Sequence, residues 1–195
     1  MGCEVSEKAL TWPDPAPFAN VIAAAGLAGR LRPFADHLNE VEDGIREAVL
    51  RAEALNPMAF YDACVARNEW CARSARLFKD IDLLVTPTTA CPPFGVAETS
   101  PATLNGQAVQ PSSWASFLRA FNLTGQPAIS VPCGTTGNGL PVGLQIVGPR
   151  HGDNLVLTIA AAYEQLRPWK TDWSLADMKN RPSTNANSGG SSGEV

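Results

Sequence analysis

Apolar residues recur at helical spacing through the first 80 residues of the chain. Asp14 and Pro15 predict a helix start, with Asp as the N-cap and Pro at the first helical position, and Gly26 and Gly29 predict its end. A second apolar stripe predicts a helix over about residues 35–55. Its members are Leu38, Val41, Ile45, Val49, Ala52 and Leu55.

Asn56 and Pro57 interrupt this stripe and predict the start of another long helix. One face of that helix carries Phe60, Cys64, Cys71 and Phe78. Arg67 interrupts this stripe, which predicts that the face is only partly buried. The two long helices, joined by a tight turn, are predicted to pack antiparallel. Near the start of the chain, Gly2–Ser6 predicts a short strand.

The pattern then changes to short apolar runs. Residues 82–86 predict a buried strand that Pro87 stops. Residues 88–109 are rich in Pro and Gly and predict a long irregular loop, a kind of segment that often carries function. Ser112 or Ser113 predicts the cap of a further helix. Its apolar side chains are Trp114, Phe117, Leu118 and Phe121.

Residues 128–133 and 141–147 predict two strands of an antiparallel hairpin, since the segment between them is rich in Gly, Thr and Asn. Pro132 places the first strand at an edge or a strand end, because proline donates no ladder hydrogen bond. Asp153 predicts the cap of a last helix. That helix carries Leu155, Val156, Ile159, Ala160 and Tyr163 on one face. From Asn180 onward the chain has no apolar periodicity, which predicts a disordered tail.

Composition narrows the function classes. The 195 residues are 45% hydrophobic, and 15 basic against 19 acidic side chains give a net charge of −4. No basic cluster stands out, which argues against a nucleic-acid partner. No apolar run approaches the roughly 20 residues of a membrane helix. Residues 1–10 lack the apolar core of a signal peptide, so a cytoplasmic location is predicted.

The cysteines and histidines form no metal-binding pattern. The cysteines are Cys3, Cys64, Cys71, Cys91 and Cys133. No two have CxxC spacing, and His37 and His151 lie far apart in the sequence. We therefore predict no metal-binding residues and no cofactor.

Three segments, in order, resemble the C-terminal part of the amidase signature family. They are Asp82–Pro93 (DLLVTPTTACPP), Phe121–Pro132 (FNLTGQPAISVP) and Gly139–Pro149 (GLPVGLQIVGP). The resemblance implies an α/β fold with a mixed β-sheet flanked by helices, here incomplete. It places residues 1–170 in the C-terminal portion of an amidase domain and leaves residues 171–195 as a polar tail.

The resemblance also implies a function. Members of this family hydrolyse carbon–nitrogen amide bonds with a Ser–cis-Ser–Lys triad that lies upstream of the matched segments. We therefore expect no catalytic residues in this chain and no activity of the chain alone. The expected partners are a small-molecule amide, bound by the complete parent, and a missing N-terminal half. A non-catalytic binding module that retains the scaffold is the alternative. An adjacent upstream reading frame encoding the lysine and a Gly-Gly-Ser-Ser-Gly loop would favour the enzyme.

Several residues allow a functional and a structural interpretation. Cys91, in a loop that resembles part of the family's pocket wall, is either a reactive thiol or a packed, inert one, and packing is the default. His151 is either a base or ligand or, by default, a surface histidine. Cys64 and Cys71 lie seven residues apart, where core packing is favoured over metal binding.

The remaining candidates are clusters. Trp114, Phe117 and Phe121 form either a substrate wall or, more commonly, a helix face packed on the sheet. The acidic cluster is interpreted as a solvated helix face. It comprises Glu40, Glu42, Asp43 and Glu47. Residues 188–193 (SGGSSG) resemble the family's nucleophile loop, but they lie at the wrong end of the order and are interpreted as a flexible linker.

Overall fold

The computed structural model describes residues 2–10, 12–108 and 113–169. Its α-helices are α1 (Ala16–Leu31), α2 (Asp43–Glu53), α3 (Pro57–Leu77), α4 (Ser116–Asn122) and α5 (Asp153–Leu166). Its strands are β1 (Leu84–Pro87), β2 (Thr103–Leu104), β3 (Gln107–Ala108), β4 (Ala128–Thr135) and β5 (Pro141–Val147). Two 3₁₀ turns span Arg32–His37 and Ser113–Ala115. The α/β fold class predicted from the sequence is confirmed.

Helix α1 begins one residue later than predicted, with Pro15 rather than Asp14 at the N-cap position, and it also ends later. The Asp14 carboxylate accepts a hydrogen bond from the Ala16 backbone N–H at 2.9 Å, which satisfies a donor at the helix start. The predicted end at Gly26 and Gly29 is wrong, because α1 continues through both. Neither glycine has a positive φ. A glycine inside a helix costs only about 1 kcal/mol relative to alanine, and α1 packs against both α2 and α3.

The single helix predicted over residues 35–55 is wrong in its first part. A 3₁₀ turn ends at His37, and α2 begins only at Asp43. The Glu40 backbone N–H donates to the His37 carbonyl at 3.0 Å, and the two side chains are joined at 2.8 Å. These local bonds close a turn in place of a continuous helix.

Helix α3 begins at Pro57, where Asn56 and Pro57 predicted a helix start. The Asn56 side chain caps the helix by accepting from the Met58 backbone N–H at 2.8 Å. The face that carries Phe60 is only partly buried, as predicted: Phe60 is 42% exposed, and Cys64, Cys71 and Phe78 are half-buried. The buried residues of α3 are Ala63, Trp70, Ser74 and Leu77. Helix α1 packs against both α2 and α3, so the predicted pairing of the two later helices is replaced by a three-helix arrangement centred on α1.

An aromatic cluster determines this orientation of α3. The Trp70 ring lies 5.0 Å from that of Trp12 and 6.0 Å from that of Phe18, measured between centroids. Its indole N–H donates to the Ala120 carbonyl at 3.1 Å, and Phe121 lies 6.3 Å from Trp12. The cluster therefore joins the N-terminal segment, α1, α3 and α4.

Three strands form the sheet, in the order β1-β5-β4, and both pairings are antiparallel. The β4–β5 hairpin predicted from the sequence is confirmed. A register shift between Pro132 and Gly134 marks a bulge in β4, an edge strand of the described sheet, as the proline predicted. The strand predicted at Gly2–Ser6 is wrong, because these residues pair with no described strand.

The strand predicted at residues 82–86 exists as β1, but it is not buried. Val85 is 53% exposed although its neighbour across the ladder, Ile146, is 2% exposed. Position in the sheet explains the difference, since β1 is an edge strand and β5 is central.

The loop predicted over residues 88–109 contains a short hairpin, β2–β3. Asn105 and Gly106 form its turn with φ values of 50° and 76°. Two consecutive positive φ values are what a two-residue hairpin turn requires, and Asn-Gly is the strongest short sequence signal for one. That signal was present in the sequence and was missed.

Neither Ser113 nor Asp153 caps the helix that it was predicted to cap. Helix α4 begins at Ser116 after Ala115, without a side-chain cap, and Ser113 instead starts a 3₁₀ turn. Ser112 lies outside the described residues. Asp153 is the first residue of α5 rather than its cap, where its carboxylate is favourably placed against the helix dipole.

The core lies between α5 and one face of the sheet. Val131, Ile146 and Ala160 are buried at its centre. The half-buried side chains around them are Leu83, Ile129, Leu144, Ile159, Tyr163 and Trp169. Along β5, alternate residues point to opposite faces, so Leu144 and Ile146 face α5 while Gly143 and Gln145 face the other side. This alternation places polar groups on the face of the sheet opposite α5. The tail predicted from residue 171 lies outside the described residues.

Candidate functional site

A row of polar side chains crosses the sheet on the face opposite α5. Thr86, Gln145 and Ser130 are neighbours across the three strands. Gln145 is 3% exposed, and its amide N–H groups donate to the Thr86 hydroxyl at 3.0 Å and to the Phe117 carbonyl at 3.4 Å. A buried amide with satisfied hydrogen bonds fixes α4 against this face.

At the Ser130 end of this row, two hydroxyl groups lie within hydrogen-bond distance of each other. Thr88 Oγ1 and Ser130 Oγ are 2.6 Å apart, and the Thr88 backbone N–H donates to the Gly143 carbonyl at 2.9 Å. A Cβ on Gly143 would lie 2.6 Å from Thr88 Oγ1 and 2.7 Å from Ser130 Oγ. The absence of a side chain at Gly143 therefore leaves room for the hydroxyl pair.

The hydroxyl pair lies in a groove of about 610 Å³. The described residues that line it are Thr88, Thr89, Ala90, Cys91, Pro92, Pro93, Phe94, Trp114, Ser130, Pro132, Pro141, Val142 and Gly143. Phe94 and Trp114 form an edge-to-face pair with ring centroids 5.9 Å apart. The Ala90 backbone N–H donates to the Trp114 carbonyl at 2.9 Å, which ties the loop after β1 to the turn before α4.

The groove offers hydrogen bonds and apolar surface. None of the lining residues that the structure describes is a lysine, histidine, arginine or carboxylate. A serine or threonine attacks an amide only when a base removes its proton. These lining residues can therefore contact a ligand but cannot by themselves activate a nucleophile.

Cys91 lies in the groove wall, where the family resemblance placed it. Burial raises the pKa of its thiol above the ordinary value. A raised pKa lowers the fraction of thiolate, the reactive form, near neutral pH. The packed, inert interpretation is thereby favoured over the reactive one.

We expect Cys91 to react with iodoacetamide more slowly than the exposed Cys133 at pH 7.5. Because its pKa is raised, the Cys91 rate should still increase with pH in the range above the ordinary cysteine pKa. Peptide mass spectrometry after timed quenching measures both sites in one sample, with Cys133 as the internal control. Faster labelling at Cys91 would contradict the inert interpretation.

The other candidate residues lie away from the groove. His151 is exposed, with a φ of 67° in the turn before α5. Cys64 and Cys71 are half-buried on α3, and the Cys71 thiol approaches the Leu123 carbonyl at 3.5 Å. Within the described ranges, no group of three or more metal-binding side chains occurs.

The aromatic candidates separate into two environments. Trp114 lines the groove, whereas Phe121 is buried in the aromatic cluster. The backbone carbonyl of Phe117 accepts a hydrogen bond from Gln145.

The predicted acidic cluster is exposed, and its side chains pair with nearby residues, for example Glu47 with Arg51 at 3.3 Å. No described helix has the length and apolar character needed to cross a bilayer.

Sequence reasoning missed the hydroxyl pair. Thr88 and Ser130 are 42 residues apart, and only strand pairing with β5 brings them together. A weak signal existed, because Gly143 interrupts an otherwise apolar strand and a glycine there suggests close approach of another group.

Comparison with known proteins places these features in a family. The family model described as Amidase matches residues 32–157. An acylamidase from Rhodococcus erythropolis is 32% identical over 174 residues, which cover 87% of this chain and 36% of that protein. A fatty acid amide hydrolase from Arabidopsis thaliana is 45% identical over 96 residues, which cover 47% of this chain and 15% of that protein.

Comparison of the fold with solved structures is consistent with the sequence comparisons. A solved structure of 6-aminohexanoate cyclic dimer hydrolase, complexed with substrate, matches with a TM-score of 0.70 and 26% identity. The match covers 81% of this chain and 36% of that one. The chain thus spans only about a third of the length of the acylamidase and of the cyclic dimer hydrolase.

The family match covers most of the chain and contains every described residue of the groove. It also contains the three segments that resemble amidase signature sequences. The chain therefore belongs to the amidase family.

Proposed function

We propose that this chain forms one wall of the substrate groove of an enzyme that hydrolyses amide C–N bonds. The groove over the Thr88–Ser130 hydroxyl pair is the observation that carries the proposal. It combines apolar walls with a few convergent polar groups, as small-molecule sites do. Membership of the amidase family supports the choice of an amide as the bond cleaved.

The catalytic groups in this proposal come from other polypeptide. Amide hydrolysis needs an activated nucleophile and donors that stabilise the developing oxyanion. Of the two lysines that the structure describes, Lys8 pairs with Asp80 at 3.8 Å, and neither Lys8 nor Lys79 lines the groove. In this proposal the Ser–cis-Ser–Lys triad is supplied by polypeptide other than this chain, and we expect the isolated chain to be inactive.

The partner in this proposal is the rest of an amidase domain, which docks against the sheet. Strands β1 and β4 each have one edge without a described partner strand, and such edges are templates for pairing. Val85, 53% exposed on β1, supplies apolar surface at one of these edges. The proposal involves no cofactor, nucleic acid or membrane partner. Free thiols at Cys64, Cys71, Cys91 and Cys133 favour a reducing, cytoplasmic location.

A chimera tests the reaction. This chain replaces the matching 36% of the Rhodococcus erythropolis acylamidase, and hydrolysis of benzamide and acetanilide is followed by release of ammonia or aniline. We expect turnover by the chimera and none by residues 1–195 alone. The acylamidase without that segment serves as the negative control.

Two results would contradict the proposal. Turnover by the isolated chain would show that the catalytic groups lie within it. A chimera that circular dichroism shows to be folded, but that hydrolyses neither amide, would contradict the proposed amide hydrolysis.

A further inference from the structure

We propose that Gln145 is a positioning residue for the groove. Its side chain holds the N-terminal half of α4 against the sheet, and the turn before α4 carries Trp114 of the groove wall. Gln145 is not among the residues that line the groove, so it acts on a ligand only through Trp114. This inference rests on the proposed function for its effect on turnover, whereas the positioning itself is measurable without turnover.

Gln145 connects three elements through one amide group. It lies on the central strand β5 and is 3% exposed. Its amide nitrogen donates to the Thr86 hydroxyl on β1 at 3.0 Å and to the Phe117 backbone carbonyl on α4 at 3.4 Å. A side-chain amide nitrogen carries two N–H donors, so both bonds form at once. The position of α4 is therefore set relative to two strands of the sheet.

Trp114 lies about one helical turn before Phe117. The 3₁₀ turn Ser113–Ala115 runs directly into α4, so a carbonyl held in the first turn of α4 also holds the turn before it. The Trp114 carbonyl accepts from the Ala90 backbone N–H at 2.9 Å, and its ring lies 5.9 Å from that of Phe94. A shift of α4 would therefore change the contacts of both of these wall residues.

A separate anchor holds the other end of α4. The Trp70 indole N–H donates to the Ala120 carbonyl at 3.1 Å. Just beyond the helix, the buried Ser74 hydroxyl donates to the Gln126 side chain at 2.7 Å. Both donors lie on α3 and not on the sheet. Loss of the Gln145 hydrogen bonds should therefore release the N-terminal end of α4 and leave its C-terminal end in place.

Fluorine NMR separates this role from simple core packing. The five tryptophans of the full 195-residue chain are replaced by 5-fluorotryptophan, and single exchanges to phenylalanine assign the signals. Gln145→Met keeps a side chain of similar length and removes both donors. We expect it to shift or broaden the Trp114 signal and to leave the Trp70 and Trp169 signals unchanged. Gln107→Met, the same exchange at an exposed position of β3, is the matched control and should leave every signal unchanged.

Thr86 provides a second test, which decides the question if Gln145→Met fails to fold. Thr86→Val keeps the branched shape and removes the hydroxyl that accepts from Gln145. We expect a shift of the Trp114 signal, because the amide group loses the bond that fixes its orientation. Thr86→Ser restores the hydroxyl and should reverse the shift.

The kinetic effect is measured in the acylamidase chimera. Gln145→Met should raise the KM for acetanilide about fivefold and leave kcat within about twofold, because a wall that contacts the ground state and the transition state equally contributes to KM alone. A variant that is only unstable would instead lose apparent kcat at an unchanged KM, since less of the enzyme is folded.

The inference is overturned if the folded Gln145→Met and Thr86→Val variants leave the Trp114 signal unchanged. It is equally overturned if Gln145→Met moves the signals of all tryptophans alike, or if it lowers kcat at an unchanged KM. The two proposals fail separately. A Trp114 shift together with a chimera that lacks turnover supports the positioning role and contradicts amide hydrolysis, whereas turnover with an unchanged Trp114 signal does the reverse.

Discussion

Trp70→Ala is expected to lower the free energy of unfolding by about 3 to 5 kcal/mol. Trp70 is 4% exposed and packs against the rings of Trp12 and Phe18. Its indole N–H is bonded to the Ala120 carbonyl, so truncation also leaves a carbonyl without its partner. Because these contacts join three separate segments of the chain, we expect the helical region to lose cooperativity.

Urea denaturation followed by circular dichroism measures this loss. Tyr61→Ala is the control on the same helix, since Tyr61 is 60% exposed, and we expect a change within about 0.5 kcal/mol. Equal losses in the two variants would mean that the aromatic cluster does not stabilise the fold.

Ile146→Ala is expected to cost about 2 to 5 kcal/mol, the range for removing a large aliphatic side chain from a well-packed core. Ile146 is 2% exposed on the central strand, beside Val131 and Ala160 under α5. The cavity left behind would separate α5 from the sheet, and both elements would lose contacts.

The cross-strand neighbour of Ile146 provides the control. Val85 faces the same side of the sheet but is 53% exposed, and Val85→Ala is expected to cost less than about 1 kcal/mol. Thermal unfolding of both variants makes the comparison. A Val85→Ala loss as large as that of Ile146→Ala would place the core elsewhere in the sheet.

Local chemistry made the element boundaries predictable in some places and not in others. Asn56 and Pro57 predicted the start of α3, and the Asn56 side chain caps it, because a side chain two residues from its donor needs no tertiary contact. Gly26 and Gly29 did not end α1, because the small free-energy cost of a glycine inside a helix was outweighed by packing against two neighbouring helices. The Asn105-Gly106 turn was predictable from its residues alone and was missed within a Pro-rich segment.

The candidate site was predictable only in part. The resemblance placed Cys91 in a pocket wall, and the structure places it in the groove. The hydroxyl pair and the different environments of Trp114 and Phe121 were not predictable. Each depends on which segment, distant in sequence, packs against the residues concerned.

The sequence by itself determined the α/β class, the hairpin of β4 and β5 and the family. The turn residues and the periodicity depend only on residues that are close in sequence, and the family is indicated by three segments in a fixed order along the chain. Tertiary structure alone decided which face of α3 is buried and where the groove lies. The physical reason is that periodicity defines a face but not its partner. Strand register set Ser130 beside Thr88, and aromatic packing turned Trp70 inward.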